Sequence, residues 1–364
     1  MMLLGLAGCA ASLPAQPMTP PQTSEPTRLA TAPPTLASTT IAAEAPPTPA
    51  IPDPTQPPNP TAVPAPTPPA SDPMFGYPIG AAGRTPGDAF FIRHGYTTEN
   101  TWYNPGYWHT GEDWYAIDGD AAGAQVYAIA RGEVVYAGAN YPGRVVIVRH
   151  AGELFSMYGH LDPALNVQAG QQLARGDMIG AVLRRADDVP NHLHFELRSF
   201  LTSGPVNGDA PRYPFRCGPN CPPGPGYWPI DAPDLPDALG WLNPTHAIGR
   251  RMLPPGAAGQ ALVPTSPISP SLTLWSAPPG QGAPQPSGTL ELRPGARYRL
   301  LEIYAGPDQP SGASALAYQL WYRIKLPGGE SGWAQAAVPT PFERGGDGRP
   351  SSVRFNLLPT NAGT

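Results

Sequence analysis

Residues 191–198, NHLHFELR, alternate in character: Leu193, Phe195 and Leu197 are apolar, while His192, His194 and Glu196 are polar. A period of two predicts a β-strand with one face turned to a core and the histidines sharing the other. The same counting in ELFSMYGH, residues 153–160, puts Phe155, Met157 and Gly159 on one face and Ser156, Tyr158 and His160 on the other. His160 therefore ends a strand. Upstream, AQVYAIA and EVVYAG flank Arg131 and Gly132, and RVVIVRH and ELFSMYGH flank Ala151 and Gly152, a pattern that predicts two antiparallel hairpins. From about Leu262, TLWSAPP, GARYRLLEIYAG and YQLWYRIKLPGGESGWAQAAV predict a second, smaller β region. The fold class is mainly β, with an antiparallel sheet.

Composition changes this picture at the N-terminus. Of 54 prolines in 364 residues, 20 fall between Pro14 and Pro73, in a stretch without an aromatic residue. Such a segment buries too little apolar surface to offset chain entropy, so residues 10–74 are expected to be a disordered linker with a reach of up to roughly 200 Å. The formal net charge of -5 and the lack of Lys/Arg runs speak against a nucleic-acid partner. No stretch reaches the roughly 18 apolar residues of a membrane-spanning helix.

The chemistry starts from the shared histidine face. Neutral imidazole is the commonest transition-metal ligand and the usual acid or base near neutral pH, so His192 and His194 can serve as catalyst and ligand. GYWHTGEDWYA, residues 106–116, offers His109 and Asp113, with Gly111 between them to allow a turn that brings both to one ion. HxH and HxxxD are each weak signals alone. Glu196 shares the histidine face, where it can orient a ligand, although a solvated surface charge is the expected reading. His94, His150 and His246 fall outside these motifs and are read as structural or exposed.

HxxxD, then YxHL, then HLHFE, with hairpins between, resembles the lysostaphin-type (LytM) family of zinc endopeptidases that cut peptides of bacterial peptidoglycan. The likeness runs from about Phe75 to Arg198 and includes HTGED, VYAIARGEVVYAG, GRVVIVRHAGELFSMYGHL, VQAGQQLARGDMIG and HLHFELR. It implies zinc (Zn2+) as cofactor, His109, Asp113 and His194 as metal ligands, and His160 and His192 as catalytic histidines that do not bind the metal. Peptidoglycan peptides are the implied partner and a monomer the expected state. The runner-up is a non-catalytic protein of the same fold that docks to, or activates, another wall hydrolase. Two departures stand out. VLRRADDVPNHLH replaces the Gly/Ser/Thr-rich turn of many relatives, and a Pro/Gly-rich insertion at 201–239 precedes Asn243 and Pro244, which look like the closing element of the domain.

The resemblance extends to the ends. Leu6, Ala7, Gly8 and Cys9 look like a lipobox, in a leader that is short and lacks a basic stretch. This implies membrane attachment through lipidated Cys9 and an extracytoplasmic location, anchored or secreted. Cys217 and Cys221 in the Pro/Gly-rich insertion are expected to form a small disulfide. Trp321, Tyr322, the GGES turn, Gly332 and Trp333 resemble the closing hairpin of a bacterial SH3-like barrel. The expected organisation is a leader at 1–9, the linker at 10–74, a zinc endopeptidase domain at 75–252, an SH3-like β domain at 260–341 and a flexible tail at 342–364.

Overall fold

The computed structural model describes residues 74–360, apart from 102, 142, 187, 209–210, 214–225, 307–317, 347 and 349. The lipobox, nearly all of the Pro-rich linker and the Cys217/Cys221 pair lie outside the described residues.

One long antiparallel ladder dominates. It runs from Gly132–Tyr141 through Gly143–His150, Leu154–Leu161, Leu193–Arg198, Glu112–Ala116 and Phe90–His94, then through Pro350–Phe355 into Ser331–Arg344, Leu320–Lys325 and Arg297–Ala305. The β class is as the sequence predicts. The hairpin of Gly143–His150 with Leu154–Leu161 also forms where the alternation places it, with Val148 opposite Ser156 and Ile147 opposite Met157. Its two faces behave differently. Phe155 and Met157 pack with Val145 and Ile147 in a small separate cluster, whereas Tyr158 joins the main core with Trp114, Leu193 and Phe195.

The hairpin expected about Arg131 and Gly132 is absent. Gln125–Tyr127 instead pairs with Ile79–Gly80 and Met178–Ala181 in a separate three-stranded sheet. The chain crosses between sheets through Ala128, Ile129 and Ala130, all buried. Tertiary partners carry their backbone groups: the Ile129 amide donates to the Tyr158 hydroxyl at 3.0 Å, and the Gly176 amide donates to the Ala128 carbonyl at 2.8 Å. Gly132 is therefore no turn residue. A Cβ there would stand 2.4 Å from the Arg149 carbonyl oxygen, so the glycine permits close approach of two strands.

A second difference concerns residues 342–364, expected as a loose tail. Pro350–Phe355 pairs with both Phe90–His94 and Ser331–Arg344, and Leu358–Thr360 pairs with Gly259–Leu262. Val353, Phe355, Leu357 and Leu358 are buried. Four apolar side chains in so short a segment sequester enough surface to hold it, at about 1.5–3 kcal/mol each. The polar residues that made the segment look loose lie between them.

Where these strands meet, Glu112 is buried with its Oε1 accepting from the Thr245 amide at 3.0 Å and the Tyr318 hydroxyl at 3.1 Å. Thr245 lies in the first turn of the short helix Pro244–Gly249, whose Asn243 caps it by accepting from the His246 amide at 3.1 Å. The Tyr318 hydroxyl in turn accepts from the Tyr96 amide at 2.7 Å. Three chain segments thus converge on one carboxyl, beside Asp113. Burial pushes Glu112 up to about 7, against the opposing pull of the bonds from Thr245 and Tyr318. Because the folded-state value lies above the ordinary 4.5, the folded chain holds a proton that the unfolded chain releases. That contribution is full below pH of about 4.5 and is lost as pH rises through about 7. Glu112→Gln should flatten this slope, with a wild-type minus variant difference on the order of 3 kcal/mol across the window in urea unfolding run as a pH series.

Candidate metal centre

His194 and Asp113 are direct cross-strand partners in the pairing of Leu193–Arg198 with Glu112–Ala116. Side chains so placed on one face meet without any loop reaching across. His109 arrives from a different sheet, at the end of Asn104–His109. Its backbone is held on both sides, its amide donating to the Thr98 carbonyl at 2.9 Å and its carbonyl accepting from the Thr97 amide at 2.8 Å. Gly111, between the two motif residues, has a role unlike the one its position predicts. It makes no left-handed turn; a Cβ there would lie 2.4 Å from the Phe195 carbonyl oxygen, so its bareness lets the HTGED segment press against the histidine strand.

The three donors converge. His194 Nδ1 lies 3.0 Å from Asp113 Oδ1 and 3.0 Å from His109 Nε2, and His109 Nε2 lies 3.2 Å from Asp113 Oδ1. An ion bonded tetrahedrally at about 2.0–2.2 Å spaces its ligands by roughly 3.3–3.5 Å, within a few tenths of an ångström of this triangle. All three residues are buried. The electrostatics also suit a cation. Burial alone would raise Asp113, but the imidazoles of His109 and His192 hold its carboxyl well below the usual range. Burial would likewise lower His194, but hydrogen bonds to Asp113 and Glu196 carry it up to about 9. A donor set of two imidazoles and one carboxylate fits zinc and leaves a fourth position for solvent or substrate.

The ring nitrogens that face away from the triangle are fixed as well. His194 Nε2 lies 3.0 Å from Glu196 Oε1, and His109 Nδ1 lies 3.4 Å from the Gly95 carbonyl. Partners of this kind settle tautomer and ring orientation. Glu196 is thus not the solvated charge that its strand position suggests. It is fully buried, accepting from Thr110 Oγ1 at 2.8 Å and Trp241 Nε1 at 3.1 Å, with Arg198 Nη1 at 3.4 Å. Burial raises its carboxyl, yet the bond to His194 and the Arg198 charge bring it down to about 2. The usable sequence signal was Arg198, two residues on and so on the same face as Glu196.

His192 and His160 stand beside the triangle. His192 Nδ1 is 2.8 Å from the Pro190 carbonyl, so that nitrogen donates and Nε2 keeps its lone pair, 3.8 Å from Asp113 Oδ1. Burial holds His192 below the ordinary histidine value despite the nearby Asp113, and the ring is a neutral base at neutral pH. The His160 ring packs edge-on against it at 4.6 Å between centroids. His160 has φ 59°, a left-handed backbone rare for a side chain of its size, and its carbonyl is tied by the Leu183 amide at 2.8 Å. All five predicted residues therefore gather in one place, with only His160 and His192 retaining 9% and 7% exposure at the mouth.

His94, His150 and His246 take the structural option. His150 bonds to the Arg131 carbonyl and Ser156 Oγ, both at 2.8 Å, and His246 Nε2 accepts from the Gln319 amide at 2.8 Å. His94 lies opposite Asp113 in the strand pairing, and burial drives it down to about 3. Two aromatic residues escaped the sequence reading. Tyr115 stacks on His192 at 4.7 Å, and Tyr227, from the insertion strand Tyr227–Pro229, packs on His109 at 5.2 Å. Tyr115 was detectable in principle, as it follows Asp113 on a strand. Nothing local marks Tyr227, whose pairing opposite His109 is set by the fold.

Among solved structures, the chain is similar to the antimicrobial peptidase lysostaphin from Staphylococcus simulans, at 14% identity over 79% of this chain and 96% of that one, with a TM-score of 0.29. It is also similar to a zinc-containing peptidase from Vibrio cholerae, at 28% identity over 34% of this chain and 36% of that one, TM-score 0.26. A third is the catalytic domain of a prophage-encoded M23 protein from Enterococcus faecalis, at 25% identity over 34% and 86%, TM-score 0.26. No curated protein sequence matches the chain. Residues 108–208 match the sequence profile of Peptidase family M23. That span contains His109, Asp113, His160, His192 and His194, and with it the chain carries a domain of peptidase family M23.

Proposed function

We propose that the chain is a zinc-dependent endopeptidase that hydrolyses peptide bonds in peptidoglycan stem peptides or cross-bridges. The observation that carries this reading is the convergence of His109 Nε2, Asp113 Oδ1 and His194 Nδ1 to within 3.0–3.2 Å, with the neutral base His192 at the rim. A docking protein has no use for a buried three-donor site flanked by a second imidazole pair. Attachment through Cys9, with the Pro-rich segment as tether, belongs to the same reading and would let the enzyme sweep the adjacent wall.

His109, Asp113 and His194 would hold the ion, which when bound supplies Lewis acidity toward the scissile carbonyl and the attacking water. The remaining steps belong to the protein. His192 Nε2 is free to take a proton from that water, because Nδ1 is committed to the Pro190 carbonyl. Tyr115, stacked beneath the ring, keeps it aimed at the site as charge develops. His160 borders the opposite edge, placed to donate to the developing oxyanion or the departing amine. Glu196, charged and walled off from solvent, prevents the His194 ring from rotating.

Digestion of purified sacculi by the zinc-loaded protein should release new amino termini, identified by labelling and mass spectrometry; intact sacculi together with intact synthetic wall peptides would refute the assignment. His109→Ala and Asp113→Ala should lose both metal and activity, whereas His192→Ala should bind zinc stoichiometrically and turn over roughly 10²–10⁴-fold more slowly. Glu196→Gln should weaken zinc affinity by roughly 10–100-fold in a chelator competition, since it removes the carboxylate that orients His194. An unchanged affinity in that variant would assign Glu196 to folding alone.

A further inference from the structure

Beyond the histidine rim lies a cavity of about 520 Å³, a size suited to a ligand of several residues. Its near wall is Tyr115 and Pro190, the two residues that hold His192, one by stacking at 4.7 Å and the other through its carbonyl at 2.8 Å. Its far wall is Ile268, Pro341 and Phe342, all from the C-terminal β region. The cavity thus borders the two residues that position the proposed general base.

The chemistry of the lining specifies the occupant. Phe342 is 65% exposed, an unusual position for a large apolar residue, and its ring meets Phe91 edge-on at 5.3 Å. Arg93 carries the nearest positive charge, yet Glu343 neutralises it, its Nε donating to Oε1 at 2.8 Å. The guanidinium is also covered, by the Tyr115 ring at 5.3 Å and the Phe342 ring at 5.7 Å. Arg354 donates to the Ser266 carbonyl at 3.0 Å. Arg93 is thus matched within the protein and Arg354 is engaged by a backbone carbonyl, so aromatic and aliphatic side chains dominate the lining.

We propose that this cavity is a specificity subsite, built jointly by the catalytic region and the C-terminal β region, that receives an uncharged apolar segment of the substrate peptide next to the scissile bond. The inference rests on the endopeptidase reading. The C-terminal region is then a wall of the substrate groove, and Phe342 is a specificity residue that touches substrate and takes no part in the chemistry.

The test uses the full-length zinc-loaded chain and synthetic peptides that differ at single positions flanking the cleaved bond, carrying Gly, Leu, Phe or Glu. Wild type should favour Leu or Phe over Glu at one of these positions. Phe342→Ala, which removes the far wall, and Thr340→Trp, which fills the cavity, should each raise KM for the favoured peptides roughly tenfold or more while kcat stays within twofold. Zinc content should not change in either variant, and the melting temperature of Phe342→Ala should hold because Phe342 is largely exposed. Wild-type cleavage without side-chain preference, or variants with KM within twofold of wild type, would overturn the subsite and leave the endopeptidase reading intact. Failure of wild type to cleave any peptide or sacculus would overturn both. If one variant melts at a lower temperature, the KM of the other decides.

Discussion

The structure depends on gathering charge in a place closed to water. Asp113 and Glu196 are both buried carboxylates, and each would be strongly disfavoured there alone. His194 lies between them, with Nδ1 3.0 Å from Asp113 and Nε2 3.0 Å from Glu196, so a single imidazole bridges two acids. Arg198 and Trp241 hold the second Glu196 oxygen, and His109 shares Asp113 Oδ1 with His194. A hydrogen-bonded array of this kind is tolerated only when each member is satisfied, and it becomes rigid for the same reason. Rigidity is what a metal centre requires of its ligands, since the donors must already point at one spot before the ion arrives.

Strand pairing makes that arrangement possible at low entropic cost. Asp113 and His194 meet because their strands are adjacent and in register, while Glu112, on the opposite face of the same strand, drops into the junction with Thr245 and Tyr318. Consecutive acidic residues thus serve different ends. One faces the site and the other ties the site's floor to the closing helix and to the C-terminal region. Through the Tyr96 amide the same Tyr318 hydroxyl steadies the segment next to Gly95, whose carbonyl orients His109. The ladder from Phe90–His94 into Pro350–Phe355 reinforces the connection, so the C-terminal strands are mechanically part of the region that carries the candidate site.

The rim differs in character from the centre. His160 and His192 pack against each other and keep a little exposure. Their placement relies on less regular backbone: a left-handed conformation at His160 and a carbonyl from Pro190 beneath His192. Asp113, His194 and His109 sit on strands, His109 as the last residue of its own. His160 lies near the end of Leu154–Leu161 and His192 just before Leu193–Arg198. Described residues include no helix long and apolar enough to cross a membrane.

Local sequence determined the elements and the candidate chemistry. Period-two alternation assigns the faces of Leu154–Leu161 and Leu193–Arg198 because neighbouring side chains on a strand must point apart, whatever the strand packs against. HxH and HxxxD are weak signals alone; it was the order of the motifs, in its resemblance to the lysostaphin-type family, that marked His109, Asp113, His160, His192 and His194 together. What only the tertiary structure decided was partnership. Gln125–Tyr127 could have turned back on Gly132–Tyr141, and local propensity favours that; it pairs elsewhere because Ala128, Ile129 and Ala130 bury better as a crossing. Glu196 reads as a surface charge until Thr110, Trp241 and Arg198 surround it, and the segment after Phe342 reads as loose until Phe90–His94 offers it an edge. Burial and long-range pairing depend on what the rest of the chain brings to a position, and no window of a few residues contains that information.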